Sequence, residues 1–287
     1  MDGTTGLIVD EYIPNYIETG LKLMYRSRFG LAATRHVFSS LLRRMSARQG
    51  AKMDSPKSVK DIAPFVASFN LNTEELEKPL SAFTSFNDFF YRKLKRGART
   101  IHALDDPAVA VSPADARTVV FPTLLDAAHI WVKGSTFTVE SLLGPEFADV
   151  APEFVGGGLL VSRLAPQDYH RWHMPVTGEL GRRSKIPGEY FTVNPMAVRS
   201  KVDVYTENVR EVCLVDTPAF GMVIMVAVGA TMVGSINITA DGPVRKGDEH
   251  GYFAFGGSTV LTLFRPGTIA FDHDLVERST KPLETLV

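Results

Sequence analysis

The stretch T-P-A-F-G-M-V-I-M-V-A-V-G-A-T-M-V-G-S-I-N-I-T-A, residues 217–240, decides between two very different folds. It contains no charged residue, and it is long enough to cross a bilayer as a helix. However, it is rich in Val, Ile and Met and is interrupted by Pro218, Gly221, Gly229 and Gly234, which is typical of buried strands joined by turns. We interpret it as two buried strands joined at a glycine turn, and we expect no transmembrane helix.

The segments on either side of this stretch extend the pattern. From about residue 109 to 271, short β-like runs alternate with Gly, Pro, Asn and Asp; they include L-L-V-S-R-L, Y-F-T-V-N, V-C-L-V-D and T-V-L-T-L-F. Residues 11–100 instead carry apolar residues at three- and four-residue spacing, which favours helices. The predicted fold is therefore α+β: a mostly antiparallel β domain, barrel- or sandwich-like, with a helical amino-terminal layer. We predict a helical, membrane-associating region at 1–100 and a β-rich catalytic domain at 101–287.

Composition and charge narrow the class of protein. The chain has 287 residues, of which 45% are hydrophobic, so it can bury a large core. Its net charge of -1 gives no reason to expect nucleic acid as a partner. The single cysteine, Cys213, excludes an internal disulfide and is predicted to be a small buried hydrophobe on a strand. With no secretory signal visible at the start, we expect an intracellular protein, cytoplasmic or peripheral to a membrane.

A basic segment lies in the helical region. Between Glu18 and Asp54 there is no acidic residue, and the basic residues there are Lys22, Arg26, Arg28, Arg35, Arg43, Arg44, Arg48 and Lys52. Such an amphipathic segment suits an anionic membrane surface. The alternative is a helix pair whose charged face is simply solvated, and periodicity does not separate the two.

The chemistry-bearing residues are spread over three motifs. L-A-P-Q-D-Y-H-R-W-H-M-P places His170 and His173 three residues apart, while V-S-P-A-D-A-R offers Asp115 in a turn after a β-like run. Ser258 follows two glycines, which permit a bend or a close approach to the backbone. Together Asp115, one of the two histidines and Ser258 supply a hydroxyl nucleophile, its base and the group that orients the base. The pair H-x-x-H alone is more often structural, and it can also bind metal.

Eight sequence blocks, in order from about residue 55 to 275, resemble the phosphatidylserine decarboxylase family. They are F-N-D-F-F-Y-R-K-L-K-R-G-A-R, S-P-A-D-A-R, W-V-K-G, L-A-P-Q-D-Y-H-R-W-H, Y-F-T-V-N-P, V-G-A-T-M-V-G-S-I, K-G-D-E-H-G-Y-F and G-G-S-T. The G-G-S-T block is similar to the eukaryotic-like branch of that family.

The resemblance implies that the proenzyme cleaves itself between Gly257 and Ser258. The products would be a β chain of residues 1–257 and an α chain whose first residue is a covalent pyruvoyl group derived from Ser258. His173 matches the base for this step, and Asp115 matches the carboxylate that fixes its tautomer. His170 matches the residue that handles the proton at the decarboxylated carbon.

Two further residues are expected to contact the substrate. They are Asn194, in the Y-F-T-V-N-P block, and Tyr169, next to His170. Asn-Pro is also an ordinary turn former, so Asn194 has a structural alternative. No resident metal is predicted.

The implied function is conversion of phosphatidylserine to phosphatidylethanolamine and CO₂. The implied partners are the phospholipid substrate, an anionic membrane surface and, for the self-cleaved α and β chains, a homodimer. A second hypothesis keeps the pyruvoyl chemistry but takes a free amino acid, aromatic ones included, as substrate. A third, from another class, is a zinc hydrolase or binding module using His170, His173 and Asp115.

Overall fold

A computed structural model describes residues 48–124, 138–193, 203–230, 235–254, 256 and 258–280, and the backbone of 285–286. Of the predicted residues, Asn194 and Gly257 lie outside these ranges, as does most of the basic segment.

Most of the strands belong to one antiparallel sheet of eight, in the order β11-β1-β2-β10-β6-β5-β4-β8. Its members are β1 (Arg117–Phe121), β2 (Gly158–Leu164), β4 (Gly178–Ile186), β5 (Arg210–Thr217), β6 (Gly221–Gly229), β8 (Pro243–Val244), β10 (Ser258–Phe264) and β11 (Thr285–Leu286). A three-stranded sheet has the order β3-β9-β7, with β3 (Arg171–His173), β7 (Ser235–Ile238) and β9 (Glu249–Ala254). The α+β prediction is confirmed, and of its two forms the barrel is not adopted, because the larger sheet is not closed.

The charge-free stretch 217–240 forms strands, as predicted. It contains the last residue of β5, all of β6 and all of β7. Pro218 cannot donate to a strand ladder, and Gly221 adopts a φ of 66°, so the chain turns between β5 and β6. No helix in the described ranges is long and apolar enough to cross a membrane.

The helices are short and lie on both sides of β1 in the chain. The α-helices are α1 (Ile62–Phe69), α2 (Phe86–Phe90), α3 (Val139–Leu143), α4 (Val204–Glu207) and α5 (His273–Ser279). Short 3-10 helices occupy Pro56–Asp61, Leu80–Ala82, Pro145–Phe147 and Ala151–Phe154. Helix α2 begins at the N-cap Ser85, whose side chain accepts a hydrogen bond from the backbone N–H of Asp88.

Two apolar clusters hold the described residues together. The smaller one is built by the segment before β1, including Ile62, Phe86 and Phe89. The larger one joins residues of both sheets, such as Val226, Trp172 and Phe253. Cys213 is buried on β5, as predicted. The division into domains at residue 100 stays a prediction.

Candidate active site

Ser258 is the first residue of β10 and is fully buried. Strand β10 lies inside the large sheet, where Ser258 pairs with Leu164 of β2 on one side and with Gly229 of β6 on the other. The preceding strand, β9, belongs to the small sheet, so the chain changes sheets between Ala254 and Ser258. Gly256 lies in this crossing with a φ of 133°, a conformation that favours glycine. Gly256 therefore serves a change of sheet shortly before the serine.

The imidazole of His170 contacts the Ser258 hydroxyl directly. Its Nδ1 lies 3.2 Å from Ser258 Oγ, and its Nε2 lies 3.0 Å from the carbonyl oxygen of Ala165. A carbonyl oxygen can only accept, so Nε2 carries the ring proton and Nδ1 presents its lone pair. Ser258 Oγ–H therefore donates to Nδ1. The tautomer that suits this contact is set by a backbone carbonyl, and the interaction needs no carboxylate.

His170 is enclosed by the amino-terminal helical segment. The ring of Phe90, at the end of α2, stacks on the imidazole with ring centroids 4.0 Å apart. Burial, reinforced by the positive charge of Arg92, lowers the pKa of His170 to about 3. His170 is therefore neutral at physiological pH, which keeps Nδ1 available as an acceptor.

The turn that presents the Ala165 carbonyl is held by charged side chains. Asp168 Oδ2 accepts from the backbone N–H of Ala165 at 2.7 Å and from the guanidinium of Arg117 at 2.7 Å. Arg92, which is buried, donates to the carbonyl oxygens of Gln167 and Asp168 at 3.1 and 3.3 Å. The orientation of His170 thus depends on side chains from β1, from the segment just after α2 and from the turn itself.

His173 has different surroundings. It ends β3 after a register shift, its backbone N–H donates to the Pro113 carbonyl at 2.7 Å, and its ring stacks on Tyr169 with centroids 5.8 Å apart. Burial lowers the pKa of His173, and the carboxylates of Glu249 and Asp115 act in the opposite direction. The imidazolium form of His173 therefore has compensating charges nearby. Within the described ranges no hydrogen bond joins His173 to Ser258.

Asp115 is bound by an arginine. Its two carboxylate oxygens accept from Nε and Nη2 of Arg99 at distances of 2.7 to 3.1 Å. Arg99 also binds Glu75, and these carboxylates raise the pKa of its guanidinium. Asp115 was predicted to orient an imidazole through a hydrogen bond; in the described part of the chain its hydrogen bonds go to Arg99. Its influence on His173 is exerted through charge, so the orienting role stays a prediction.

Three of the predicted site residues face one cavity of about 1060 Å³, namely Asp115, Tyr169 and His173. Ser258 and His170 are absent from its wall in the described residues, although Tyr169 and His170 are neighbours in the chain. The site thus has two parts. Ser258 and His170 form a buried nucleophile pocket, and Asp115, Tyr169 and His173 line an open cavity. The segment 169–173 contributes residues to both parts.

Sequence reasoning missed two residues of this cavity wall. Arg99 lies in the block K-R-G-A-R, but nothing in the spacing connects it with Asp115. Lys246 lies in the turn before β9 and is only 2% exposed, and its ammonium donates to the carbonyl oxygens of Ala103, Asp106 and Val109. Lys246 therefore ties the loop that forms one wall of the cavity to the turn before β9.

The zinc alternative finds no ligand set within the described ranges. There, no three His, Cys, Asp or Glu side chains converge closely enough to hold a metal ion. His170 and His173 contact different partners, with one against Ser258 and Phe90 and the other against Tyr169.

Comparisons with known proteins identify the family of the chain. The family model described as phosphatidylserine decarboxylase matches residues 86–282. The chain is 48% identical to phosphatidylserine decarboxylase proenzyme 3 of Schizosaccharomyces pombe over 99% of its length, and 45% identical to proenzyme 2 of Oryza sativa over 100%. It covers 29% and 46% of those two relatives, so it spans less than half of either. The phosphatidylserine decarboxylase proenzyme of Fusobacterium nucleatum is 37% identical over 94% of this chain and 89% of its own length. The chain belongs to the phosphatidylserine decarboxylase family.

Proposed function

We propose that this chain is a self-processing proenzyme that cleaves itself between Gly257 and Ser258 and then converts phosphatidylserine to phosphatidylethanolamine and CO₂. The observation that carries the proposal is the contact of Ser258 Oγ with His170 Nδ1 at the point where the chain changes sheets. A serine needed only for packing would not require a buried imidazole with its lone pair turned toward the hydroxyl.

The cleavage step balances within the chain. Ser258 Oγ loses its proton and attacks the carbonyl carbon of Gly257, the amide C–N bond breaks, and the freed nitrogen of residue 258 gains a proton. The resulting ester then loses the α-proton of residue 258 and the carboxylate of Gly257, and addition of water with release of ammonia leaves the ketone. Attack within one chain benefits from proximity, because aligned groups reach effective molarities of about 10⁵ M or more.

The two histidines are proposed to divide the proton transfers. His170 orients the hydroxyl, while His173, whose positive charge is compensated by Asp115 and Glu249, accepts the proton through an intervening group such as a water. This keeps the roles that the family resemblance implied. After cleavage His170 is beside residue 258, which suits delivery of a proton to the decarboxylated carbon of the substrate.

The surroundings of residue 258 fit a pyruvoyl group. Pairing of β10 with β2 and β6 anchors residue 258 independently of the peptide bond that is cut. The neutral imidazole of His170 lies next to the side chain of this residue. When present, the group supplies an electron-withdrawing ketone that takes up the electrons released with CO₂. Tyr169, a buried residue of the cavity wall next to His170, and Asn194 are proposed to contact the substrate.

Two measurements test this proposal. Denaturing electrophoresis of the purified protein should show a small fragment corresponding to residues 258–287, and Ser258→Ala should abolish it. Release of CO₂ should then be followed with phosphatidylserine vesicles and, separately, with individual amino acids. A chain that stays intact while releasing CO₂ would overturn the self-cleavage, and release from amino acids alone would overturn the lipid substrate. Docking on an anionic membrane surface and a homodimer remain parts of the proposal.

A further inference from the structure

The cavity floor lies on the same face of the large sheet as Ser258. Alternate residues of a strand point to one face, so Ser258 shares its face with Thr262 and Phe264 of β10. Directly paired residues also share a face, and Thr262 pairs with Leu160, which in turn pairs with Val120. Leu160, Val120 and Phe264 line the cavity. At ~3.3 Å per residue, the floor therefore runs from about 13 to 20 Å beyond Ser258 along the strand direction.

An apolar outer wall covers this floor. The segment after β10 folds back, so that Ile269 and Phe271 lie against Gly158, the residue that pairs with Phe264. A Cβ atom on Gly158 would be 2.7 Å from Ile269 Cγ2 and 3.1 Å from Phe271 Cε2. Phe271 also contacts Phe264 edge to face, with ring centroids 6.2 Å apart. Because Gly158 has no side chain, Ile269 and Phe271 can approach the sheet closely. They form an apolar wall opposite the apolar floor, and both belong to the cavity.

Beside this apolar floor, level with Val260 and so nearer to Ser258, Thr118 presents a hydroxyl that has no partner among the described residues. Thr118 is 2% exposed, lines the cavity, and its Oγ1 has no hydrogen-bond partner among the described residues. Its strand neighbour Ser162, directly opposite on β2, has an unpartnered buried hydroxyl as well. Buried hydroxyls are normally satisfied, so this pair indicates that a polar atom of a ligand or a water completes them.

The same cavity carries two uncompensated cations. Lys95 and Arg96 are exposed members of its wall, and neither forms an ion pair with a described residue. Arg99, three residues later, differs because Asp115 and Glu75 neutralise it. A phosphodiester is the anionic part of a phospholipid that lies between the serine headgroup and the acyl chains.

We propose that this cavity binds the glycerophosphate and one acyl chain of a phospholipid. The chain lies between the floor at Leu160 and the wall at Phe271, the Thr118 hydroxyl donates to an ester carbonyl, and Lys95 and Arg96 bind the phosphate. A volume of about 1060 Å³ is at the upper limit of ordinary ligand pockets, which hold drug-sized molecules, so a free amino acid would fill only a small part of it. The inference deepens the proposed function and rests on it for the identity of the headgroup.

Binding is measured on the Ser258→Ala chain, so that neither self-cleavage nor turnover is required. The probes are dioleoyl phosphatidylserine in detergent micelles and O-phosphoserine, which has the headgroup without the chains. We expect the lipid to bind, and we expect O-phosphoserine to bind at least about tenfold more weakly than the lipid. Leu160→Trp, which fills the floor, should weaken lipid binding about tenfold, whereas Val155→Trp, an exposed residue outside the cavity, should leave it unchanged. Thermal melting checks that each variant folds. Ile269→Trp is a second variant that fills the same space from the half-buried outer wall, and it should weaken lipid binding in the same way.

The phosphate contact is tested with a neighbouring lysine as control. The double variant Lys95→Ala, Arg96→Ala should weaken lipid binding about tenfold or more at low salt, and the loss should shrink as salt is added. Lys93→Ala removes an exposed charge outside the cavity and should change binding less than twofold.

The outcomes separate this inference from the proposed function. Equal lipid binding by the parent chain, Leu160→Trp and Ile269→Trp would overturn the cavity assignment, even if wild-type protein releases CO₂ from phosphatidylserine. Equal effects of Lys93→Ala and the double variant would overturn the phosphate contact. Lipid binding that these variants weaken, combined with no CO₂ release by cleaved wild-type protein, would support the cavity and overturn the activity.

Discussion

Replacing each histidine singly separates the two proton-transfer roles. In the structure His170 contacts Ser258 Oγ, but burial and Arg92 hold its pKa at about 3. The pKa of His173 is also lowered by burial, yet carboxylates compensate its charged form. We therefore expect His173→Ala to slow self-cleavage far more than His170→Ala, whereas His170→Ala should abolish CO₂ release from any cleaved protein.

The expected magnitudes follow from the contacts. An orienting hydrogen bond contributes about 1 kcal/mol net, which corresponds to about fivefold in rate. Loss of a general base instead costs about 10²-fold to 10⁴-fold. His170→Ala should thus slow self-cleavage by about fivefold and His173→Ala by at least about 100-fold, so the two roles differ by more than an order of magnitude.

The assay follows appearance of the small fragment by denaturing electrophoresis after refolding or cell-free synthesis, at fixed pH and temperature. His170→Gln and His173→Gln accompany the alanine variants, because they retain more side-chain volume in the packed site. Thermal melting of each uncut chain shows whether it folds. A slowdown above 100-fold for both His170 variants, with less than tenfold for both His173 variants, would refute the reasoning and make His170 the base.

Three further predictions follow from individual contacts. Stability should fall as pH drops from about 6.5 toward 4, because buried His170 and His250, with pKa values of about 3 and about 4, stay neutral in the folded chain while the unfolded chain binds protons. Each histidine contributes about 1.4 kcal/mol per pH unit to the slope of the free energy of unfolding. His250→Asn, made in the Ser258→Ala chain, should therefore reduce the pH dependence of urea denaturation, and an unchanged slope would contradict this. Lys246→Met should lower the free energy of unfolding by about 3 kcal/mol, because three carbonyls lose the hydrogen bonds that the buried ammonium donates, whereas Lys93→Met should change it by less than about 0.5 kcal/mol. Cys213 should resist a thiol reagent until urea unfolds the chain, since burial raises its pKa to about 11; rapid labelling of folded protein would contradict this.

Local sequence patterns were sufficient for the strands. The charge-free stretch 217–240 became β-structure because Val and Ile favour strands and because proline and glycine interrupt any long helix. The same patterns did not show that β6 and β7 belong to different sheets, because strand pairing depends on contacts between residues far apart in the chain. The open, eight-stranded form of the large sheet is a result of the same long-range pairing.

The candidate site divides in a similar way. Motifs in the sequence were enough to single out Ser258, His170, His173 and Asp115, because the chemistry available to a hydroxyl, an imidazole or a carboxylate follows from the residue type alone. Which imidazole meets the serine, and which cation meets the carboxylate, depended on the folded chain, where residue 170 lies against residue 258 and residue 99 against residue 115. Tertiary structure alone decided these partners, since side chains 16 or 88 residues apart are brought together only by sheet pairing and core packing.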